Sequence, residues 1–411
     1  MQMITNQLTL FDEYSEPLSD FSHVSQRIDA FARFRYKVRP YSKRNWGSSL
    51  HSLCSYQGKL KPAIAHFLVK AMTDKEERIL DPFSGAGTIP LEACLQGRYV
   101  DGIDINPLAY ANTLAKVTFP SHKDVYDFHD RLSSYFNQYL VPESELAHVQ
   151  LDNINGRLQD YFHPSTFAEI VTARKFFSTI DQHTPASAFV ESCLLHILHG
   201  NRPYALSRRS HGLTPFSPTG PFEYKPLLRH LNAKIQRSIP KQTPPTHIPG
   251  SAYLCSVFDF NAEQPYDAII TSPPFLNSTR FYIANWMRLW FCGWESSDFK
   301  STARSDFLEE MQAQSITVYE KVFSKFLTFL KPGGLCVLHL GVKGKRDMGK
   351  ELIPQAEKVG FKVLRLLYED VSLCEKHGVR DQGTTTKHQF LFLQAPAFIS
   401  KQPLLIQPNS H

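Results

Sequence analysis

The chain lacks several features that would define its class at once. Its 7 cysteines are scattered and form no CxxC pair, so neither a zinc site nor a disulfide framework is predicted, and a reducing compartment fits. No apolar run approaches ~18 residues, and no basic segment followed by an apolar one opens the chain. We therefore expect a cytoplasmic protein without membrane contact. The motif GxxxxGK[ST] and the spacing GxGxxG are missing too, which disfavours a bound nucleoside triphosphate or a dinucleotide.

The composition is that of a folded, globular protein. The 411 residues are 42% hydrophobic and include 30 Phe and 17 Tyr, far too many aromatic residues for a disordered chain. The net charge of +6 is unevenly spread. Residues 32–47 hold six Lys or Arg and no acid, and residues 201–241 hold eight against one Glu. Basic stretches interleaved with aromatic residues favour a polyanionic partner.

The pattern of apolar residues indicates an α/β fold. "RILDPFSGAGTIPLEACLQG" predicts a short strand at Ile79 and Leu80, a glycine turn, and a helix from about Thr88 to Leu95. "RYVDGIDINPLAYANTLAKV" predicts a second strand that ends in an acid, then another helix. After a long irregular stretch, "SVFDF" and "YDAIITSPPF" predict further strands, followed by a helix through "VYEKVFSKFLTFLKPGG". Strands that alternate with helices in this way predict a mostly parallel sheet.

The glycine turn "DPFSGAGT", from Asp81 to Thr88, lies between a strand and a helix. Gly85 and Gly87 allow the backbone to approach a ligand closely, and the free amides at the start of the helix point toward it. Asp104 ends the second strand, where a carboxylate can accept both hydroxyls of a ribose. The turn and the acid together predict a nucleoside-containing cofactor.

Together with "TSPPF" at residues 271–275, this turn resembles the paired motifs of the amino-group DNA methyltransferases, which use S-adenosylmethionine. The Ser-Pro-Pro-aromatic form is similar to the cytosine-N4 variant. "SYQGKLKP" at residues 55–62 resembles the family's additional cofactor segment, and Asp259 is placed like the acid that binds the adenine amino group. The resemblance implies a Rossmann-like methyltransferase with a seven-stranded sheet and a large insertion. It implies that the cofactor is bound by Tyr56, Lys59, Pro62, Asp81, Phe83, Gly85, Gly87, Thr88, Asp104 and Asp259, and that Ser272, Pro273, Pro274 and Phe275 are catalytic.

The corner after the strand suits this chemistry physically. An exocyclic amino group of a base is a poor nucleophile, because its lone pair is delocalised into the ring. The hydroxyl of Ser272 and the carbonyl of Pro273 can accept its hydrogens, held in place because proline fixes φ. Phe275 offers a face on which the base can stack. Methylation of ring carbon 5 would need a cysteine after a proline, and the chain has no Pro-Cys pair.

The order of motifs divides the chain. We predict an amino-terminal arm at 1–45, a cofactor-binding half at 46–120, an inserted target-recognition region at 121–250, a catalytic half at 251–396, and a tail at 397–411. The insertion is expected to contact double-stranded DNA through Arg202, Arg208, Arg209 and His211, together with Arg280 and Tyr282 after the corner. Phe281, Tyr282 and Trp286 are candidates for the wall of a pocket for a flipped base, although Trp286 fits a helix core equally well.

Other interpretations stay open at this point. The target could be N6 of adenine in DNA or N2 of guanine in RNA, or the chain could be a DNA-binding module without activity. A cytosine-N4 enzyme would act on the nucleoid, paired with a restriction endonuclease encoded nearby. "QLTLF" at residues 7–11 resembles the short peptide by which bacterial replication and repair proteins bind the sliding clamp.

Overall fold

The computed structural model describes residues 23–34, 38–43, 45–151, 156–212, 214–276, 280–301, 306–370, 375–376, 379–380 and 385–398. The QLTLF segment, Gln7 to Phe11, lies outside these residues.

In the described part of the chain a central sheet has eight strands, one more than the seven predicted, because the short strand Arg346–Asp347 pairs beside the strand Leu330–Lys343. In chain order the strands are β1 (Arg78–Asp81), β2 (Tyr99–Asp104), β3 (Ser251–Leu254), β4 (Tyr266–Thr271), β5 (Leu330–Lys343), β6 (Arg346–Asp347), β7 (Lys362–Asp370) and β10 (Thr385–Gln394); β8 (Glu375–Lys376) and β9 (Val379–Arg380) form a separate pair. The order across the sheet is β3-β2-β1-β4-β5-β10-β7, with β6 added beside β5. The first five strands of this path are parallel, and β10 is antiparallel to both β5 and β7. The predicted class, α/β with a mostly parallel sheet, is confirmed.

Helices cover the sheet and build the insertion. They are α1 (Val24–Arg33), α2 (Pro62–Met72), α3 (Thr88–Leu95), α4 (Pro107–Thr118), α5 (His122–Gln138), α6 (Glu143–Leu146), α7 (Pro164–Ser178), α8 (Pro185–Ile197), α9 (Leu227–Ser238), α10 (Phe281–Ala284), α11 (Trp286–Phe291), α12 (Ser296–Lys300), α13 (Leu308–Gln314), α14 (Val318–Phe329) and α15 (Met348–Lys358). Several begin with a proline in the first turn, where the missing amide hydrogen costs nothing. Among the helices that the structure describes, none has the length and apolar character needed to cross a membrane.

The insertion packs against helix α4 of the cofactor half through an apolar core that the two parts share. α8 lies at its centre, and its residues from Ala186 to Leu195 are all buried. The α8 helix contacts α4 of the cofactor half as well as α5 and α9 of the insertion. Trp286 and Trp290 of α11 extend the same apolar cluster, so the segment after the Ser-Pro-Pro corner is packed onto the insertion. Three parts of the chain that are distant in sequence therefore meet at the carboxyl ends of the strands.

Two predicted elements differ from the structure. "SVFDF" at residues 256–260 is a turn, because the strand at this edge is formed by residues 251–254, which pair in parallel with residues 101–104 of β2. The helix before β5 ends at Phe329, and "KPGG" already belongs to β5. Both differences depend on which residues pair with neighbouring strands, which local apolar patterns do not specify.

Candidate active site

A pocket lies at the carboxyl ends of β1, β2 and β4, where loops from distant parts of the chain converge. The glycine turn forms one wall. Gly85 has φ of +48° and donates its amide to Asp104 Oδ2 at 2.8 Å, which joins the turn to the end of β2. Gly87 caps α3 with φ of +66°, and a β-carbon there would lie 2.9 Å from the Cα of Thr113. Both positions therefore require glycine.

Three carboxyl groups with perturbed acidity line this pocket. Burial raises the pKa of Asp104 to about 6, although its carboxylate accepts a hydrogen bond from the amide of Asn106 at 2.9 Å. Burial likewise raises the pKa of Asp81 to about 7, although its carboxylate accepts from Thr271 Oγ1 at 2.6 Å. Burial also raises the pKa of Glu309 to about 7, and its carboxylate accepts from the amide of Phe281 at 3.0 Å. Buried carboxyl groups with raised pKa values suit a ligand that carries positive charge.

The segment "SYQGKLKP" forms the opposite wall. The ring of Tyr56 stacks on Phe281 with centroids 6.1 Å apart and lies against the glycine turn, 3.5 Å from the position of a β-carbon on Gly85. Lys59 lines the pocket, and its Nζ donates to Asn45 Oδ1 at 2.8 Å and to the carbonyl of His51 at 2.6 Å. Pro62 is the first residue of α2 and is buried behind the lining. The segment "SYQGKLKP", which the resemblance assigns to cofactor binding, therefore does line the pocket.

Arg288 of α11 anchors this segment from behind. Its side chain is fully buried, and Nη1 and Nη2 donate to the carbonyl and hydroxyl of Ser55 at 3.1 and 3.0 Å. Its Nε donates to the carbonyl of Leu195 in α8 at 3.0 Å. The amide of Ser55 in turn donates to Nδ1 of His196 at 3.1 Å. One guanidinium therefore joins the cofactor segment, the insertion and the helix after the catalytic corner.

The Ser-Pro-Pro-Phe corner follows β4, and its members face different ways. Ser272 and Pro274 line the pocket, whereas Pro273 is buried outside the lining. Gln312 donates to the carbonyl of Pro274 at 3.1 Å. The ring of Phe275 packs onto β5, where a β-carbon on Gly341 would lie 2.5 Å from it. It is Phe281, not Phe275, whose ring belongs to the pocket lining.

The remaining predicted cofactor residues divide in the same way. Phe83 and Thr88 line the pocket beside Asp81, Gly85 and Asp104. Gly87 lies just behind, as the cap of α3. Asp259 is exposed and outside the lining, while Ser256, Val257 and Phe258 of the same turn line it. The position that the resemblance implies for the adenine-binding acid is therefore three residues from a serine that does face the pocket.

The basic loop after α8 lies at the rim of this pocket. Thr214 Oγ1 donates to Oε1 of Gln57, a lining residue, at 3.5 Å, and the indole of Trp286 donates to the carbonyl of Pro215 at 3.2 Å. Arg202, Arg209 and His211 are exposed on the loop. Arg208 instead holds the loop to neighbouring main chain, because its guanidinium donates to the carbonyls of Gly220 and Asp160 at 2.8 and 2.9 Å.

The two residues predicted to contact DNA after the corner are tied to Glu310. Arg280 is half exposed and forms an ion pair with Glu310 Oε1 at 2.6 Å. Tyr282 is buried and donates its hydroxyl to the same oxygen at 3.0 Å; burial raises the pKa of that phenol to about 12. Tyr282 and Trp286 are therefore packed inside the protein, and of the three proposed wall residues only Phe281 lines the pocket.

Sequence reasoning missed Glu309 and His339. Glu309 is one of two adjacent acids in "FLEEM", and nothing local shows that this helix returns to the pocket. His339 carried a signal, because it is a polar residue inside the apolar strand "LCVLHLG". In the structure its Nδ1 lies 3.0 Å from Ser272 Oγ.

Comparison with known proteins agrees with this geometry. Residues 52–126, which hold the cofactor segment, the glycine turn and Asp104, match the family model described as UPF0020: RMKL-like, methyltransferase domain. No curated protein matches the chain.

The solved structures that the chain matches share little sequence with it. The rRNA methyltransferase aviRa from Streptomyces viridochromogenes is 12% identical, with 89% of this chain and 97% of that chain covered and a TM-score of 0.34. TrmN from Thermus thermophilus is 12% identical, with 82% of this chain and 50% of that chain covered and a TM-score of 0.28. A protein from Thermoplasma acidophilum described as a methyltransferase is 12% identical, with 42% and 54% covered and a TM-score of 0.23. The chain thus spans about half the length of the last two.

The strand order, the glycine turn and the matched family model define the class of this protein. It has the Rossmann-like methyltransferase fold, and residues 52–126, which match the methyltransferase family model, supply the glycine turn and Asp104 to the pocket.

Proposed function

We propose that the protein transfers the methyl group of S-adenosylmethionine to the exocyclic amino group of a nucleobase, with N4 of cytosine in DNA as the first candidate. One observation carries this proposal: the hydroxyl-bearing Ser272 and the neighbouring Pro274 line the same pocket as Asp104 and the glycine turn. An acceptor for amino hydrogens beside the cofactor is what transfer to an amino nitrogen requires.

The aromatic lining supports a flipped base as the substrate. The rings of Tyr56 and Phe281 are nearly parallel, with an interplanar angle of 21°, and both belong to the pocket wall. A base that leaves the duplex loses its stacking, at a cost of a few kcal/mol, which an aromatic pocket can offset. In this proposal Phe281 takes the stacking role that the sequence motif suggested for Phe275.

The basic loop supports a nucleic-acid substrate. Its exposed Arg202, Arg209 and His211 lie on a segment that contacts the pocket rim through Thr214 and Gln57. Aromatic side chains are also exposed there; Phe216 and Phe222 are about half exposed. Cations together with exposed rings suit a phosphate backbone and unpaired bases.

The target is tested by incubating the protein with labelled S-adenosylmethionine and either unmethylated duplex DNA or total RNA, then digesting to nucleosides. Label on N4-methylcytosine is the expected result. Label on N6-methyladenine in DNA, or on N2-methylguanosine in RNA, would keep the amino-group chemistry and replace the target. RNA is included because the matched family model is described only as a methyltransferase domain, and this description specifies neither DNA nor RNA as the substrate. Label on a carbon or ribose atom would overturn the proposal.

Ser272→Ala tests the role of the corner. The substitution removes one acceptor worth about 1–3 kcal/mol, so kcat should fall roughly 5- to 150-fold while the affinity for the cofactor changes little. Ser192→Ala in α8 is the matched control, because it deletes a hydroxyl outside the pocket lining. Equal losses in kcat and cofactor affinity for Ser272→Ala would show that the hydroxyl serves cofactor binding instead.

Two neighbouring arginines separate nucleic-acid contact from loop structure. Arg209→Ala should weaken DNA binding and lower the slope of log affinity against log salt by about 1, since it removes one exposed cation. Arg208→Ala should instead lower the stability of the loop, because two carbonyls lose their donor. An unchanged salt slope in Arg209→Ala would remove this residue from the proposed interface.

The proposed cellular partners follow from the DNA assignment. A site-specific enzyme would act on the nucleoid beside a restriction endonuclease that cuts the same unmodified sequence. Docking on the sliding clamp through Gln7–Phe11 is a separate proposal, tested by titrating that peptide onto purified clamp. A peptide with Leu10 and Phe11 replaced by alanine is the control, and equal binding of both peptides would dismiss the idea.

A further inference from the structure

His339 occupies an unusual position behind the catalytic corner. It lies in the middle of β5, is 4% exposed, and is flanked in the strand by the buried Leu338 and Leu340. Its Nδ1 lies 3.0 Å from Ser272 Oγ, and the same hydroxyl has a second, more distant acceptor in the carbonyl oxygen of His339 at 3.3 Å. A buried imidazole therefore contacts the one side-chain hydroxyl that the corner presents to the pocket.

The surroundings of the ring keep it uncharged. Burial is the main cause that holds the pKa of His339 well below its ordinary value, and the nearby His388 and Lys61 add to this. Within the described part of the chain, Nε2 is buried without a hydrogen-bond partner. The rings of His388, Phe390 and Phe275 enclose it, with centroid separations of 4.8, 5.3 and 5.4 Å. A neutral imidazole beside a hydroxyl can accept its proton.

We propose that His339 orients the hydroxyl of Ser272 and receives, through that hydroxyl, the proton that the substrate amino group loses on methylation. This inference rests on the proposed amino-group activity and adds a positioning residue to it. Ser272 touches the substrate, and His339 acts through Ser272.

The atoms and charges balance as follows. The nitrogen lone pair forms the new N–C bond, while the bond from the methyl carbon to sulfur breaks and leaves its electron pair on sulfur. The nitrogen, now positively charged, releases one hydrogen as a proton to Ser272 Oγ, and the serine's own proton moves to His339 Nδ1. The imidazole becomes an imidazolium, which returns the proton to solvent after product release. A nitrogen cation attached to a nucleobase ring is strongly acidic, so even a weakly basic imidazole is a sufficient acceptor.

The tautomer of His339 tests the geometry without any turnover. The proposal requires that Nδ1 accept from the serine hydroxyl, so the neutral ring must carry its hydrogen on Nε2. Long-range proton–nitrogen NMR on protein with labelled histidine should show a hydrogen-bonded, unprotonated Nδ1 that disappears in His339→Asn and shifts in Ser272→Ala. A hydrogen on Nδ1 would mean that the imidazole donates to the serine, and would overturn the relay.

Kinetics separates proton transfer from positioning. Asparagine places a hydrogen-bonding group near the position of Nδ1 but takes up no proton at neutral pH, whereas leucine removes both properties. Both His339→Asn and His339→Leu should lower kcat with unchanged cofactor affinity, by no more than the roughly 5- to 150-fold expected for Ser272→Ala, because His339 acts only through that hydroxyl. Adding Ser272→Ala to His339→Asn should cost little more, because the two residues act as a unit. His199→Asn is the control, since it removes another fully buried histidine outside the pocket.

The outcomes distinguish this inference from the function on which it rests. An active wild-type protein with wild-type kcat in His339→Asn would overturn proton transfer and leave the proposed function intact. A wild-type protein that methylates no amino group on any substrate tested would overturn the proposed function and the relay together. A loss of kcat in His199→Asn equal to that in His339→Asn would assign the effect to general destabilisation and overturn the specific role.

Discussion

Replacing Gly87 by alanine tests the turn on which the cofactor pocket depends. The residue has φ of +66°, and an added β-carbon would lie 2.9 Å from both Cα and Oγ1 of Thr113. Thr113 has little freedom to move, since it is buried within α4 and shares a hydrogen bond of 3.0 Å with Ser84. The substitution therefore meets two separate penalties, one from the backbone and one from the neighbouring helix.

The size of each penalty follows from the geometry. A left-handed backbone costs a non-glycine residue about 1–2 kcal/mol, and the reduced freedom of the unfolded chain returns about 0.4–1 kcal/mol. Overpacking against a rigid neighbour adds about 1–3 kcal/mol. Gly87→Ala should thus lower the free energy of unfolding by about 1–4.5 kcal/mol in all.

Gly333→Ala is the matched control. Gly333 has φ of +73°, but a β-carbon there would meet no atom within 4 Å, so only the backbone penalty applies. We expect a loss of about 0–1.5 kcal/mol at that position. Urea unfolding of both variants measures the difference, and titration with S-adenosylmethionine should show weakened binding for Gly87→Ala alone, because α3 begins at the pocket. Equal destabilisation of the two variants would refute the argument that Thr113 excludes a side chain.

Two further predictions concern the charges around the pocket. Burial raises the pKa of Asp104 to about 6 and those of Asp81 and Glu309 to about 7, and binding of a cationic ligand favours the ionised form of each carboxyl group. The affinity for S-adenosylmethionine should therefore rise from pH 6 to pH 8, by at most tenfold per unit for each group that ionises, with proton release visible by calorimetry in buffers of different ionisation enthalpy. S-adenosylhomocysteine, which lacks the sulfonium charge, should show the smaller pH dependence, and identical profiles for the two ligands would contradict this. Arg288→Met should destabilise the protein by about 2–4 kcal/mol, because the carbonyls of Ser55 and Leu195 lose their buried donor, and it should weaken cofactor binding through Tyr56. Ser55→Ala removes only the hydroxyl contact and should cost about 1 kcal/mol by the same denaturation assay; equal losses would mean that the backbone contacts of Arg288 contribute nothing.

Elements with strong local signals could be predicted from sequence. The helix predicted from about Thr88 to Leu95 is present over those residues, and Asp104 ends β2 as expected. Local chemistry suffices there, because glycines, an apolar stripe and a terminal acid each act within a few residues. The prediction of a strand at "SVFDF" was wrong. These residues form a turn at the edge of the sheet, and the four residues at 251–254 pair with β2 instead.

The site could be predicted only in part, because its orientation depends on distant residues. Phe275 follows the two prolines as the motif requires, yet the lack of a side chain at Gly341 lets its ring pack onto β5. Arg208 and Arg209 are adjacent and chemically identical, but only the fold shows that carbonyls at positions 160 and 220 bind the first. The two carbonyls that bind Arg208 lie 12 and 48 residues away in the chain, and no local pattern specifies them.

Buried cationic side chains hold the main chain around the pocket in place. Behind its walls lie three buried cationic side chains, and each donates to a main-chain carbonyl: Lys116 to Ala86 of the glycine turn, Lys234 to Ser52, and Arg288 to Ser55. Burial lowers the pKa of all three groups. The same donors thus hold in place the glycine turn at Ala86 and the main chain at Ser52 and Ser55, beside the pocket.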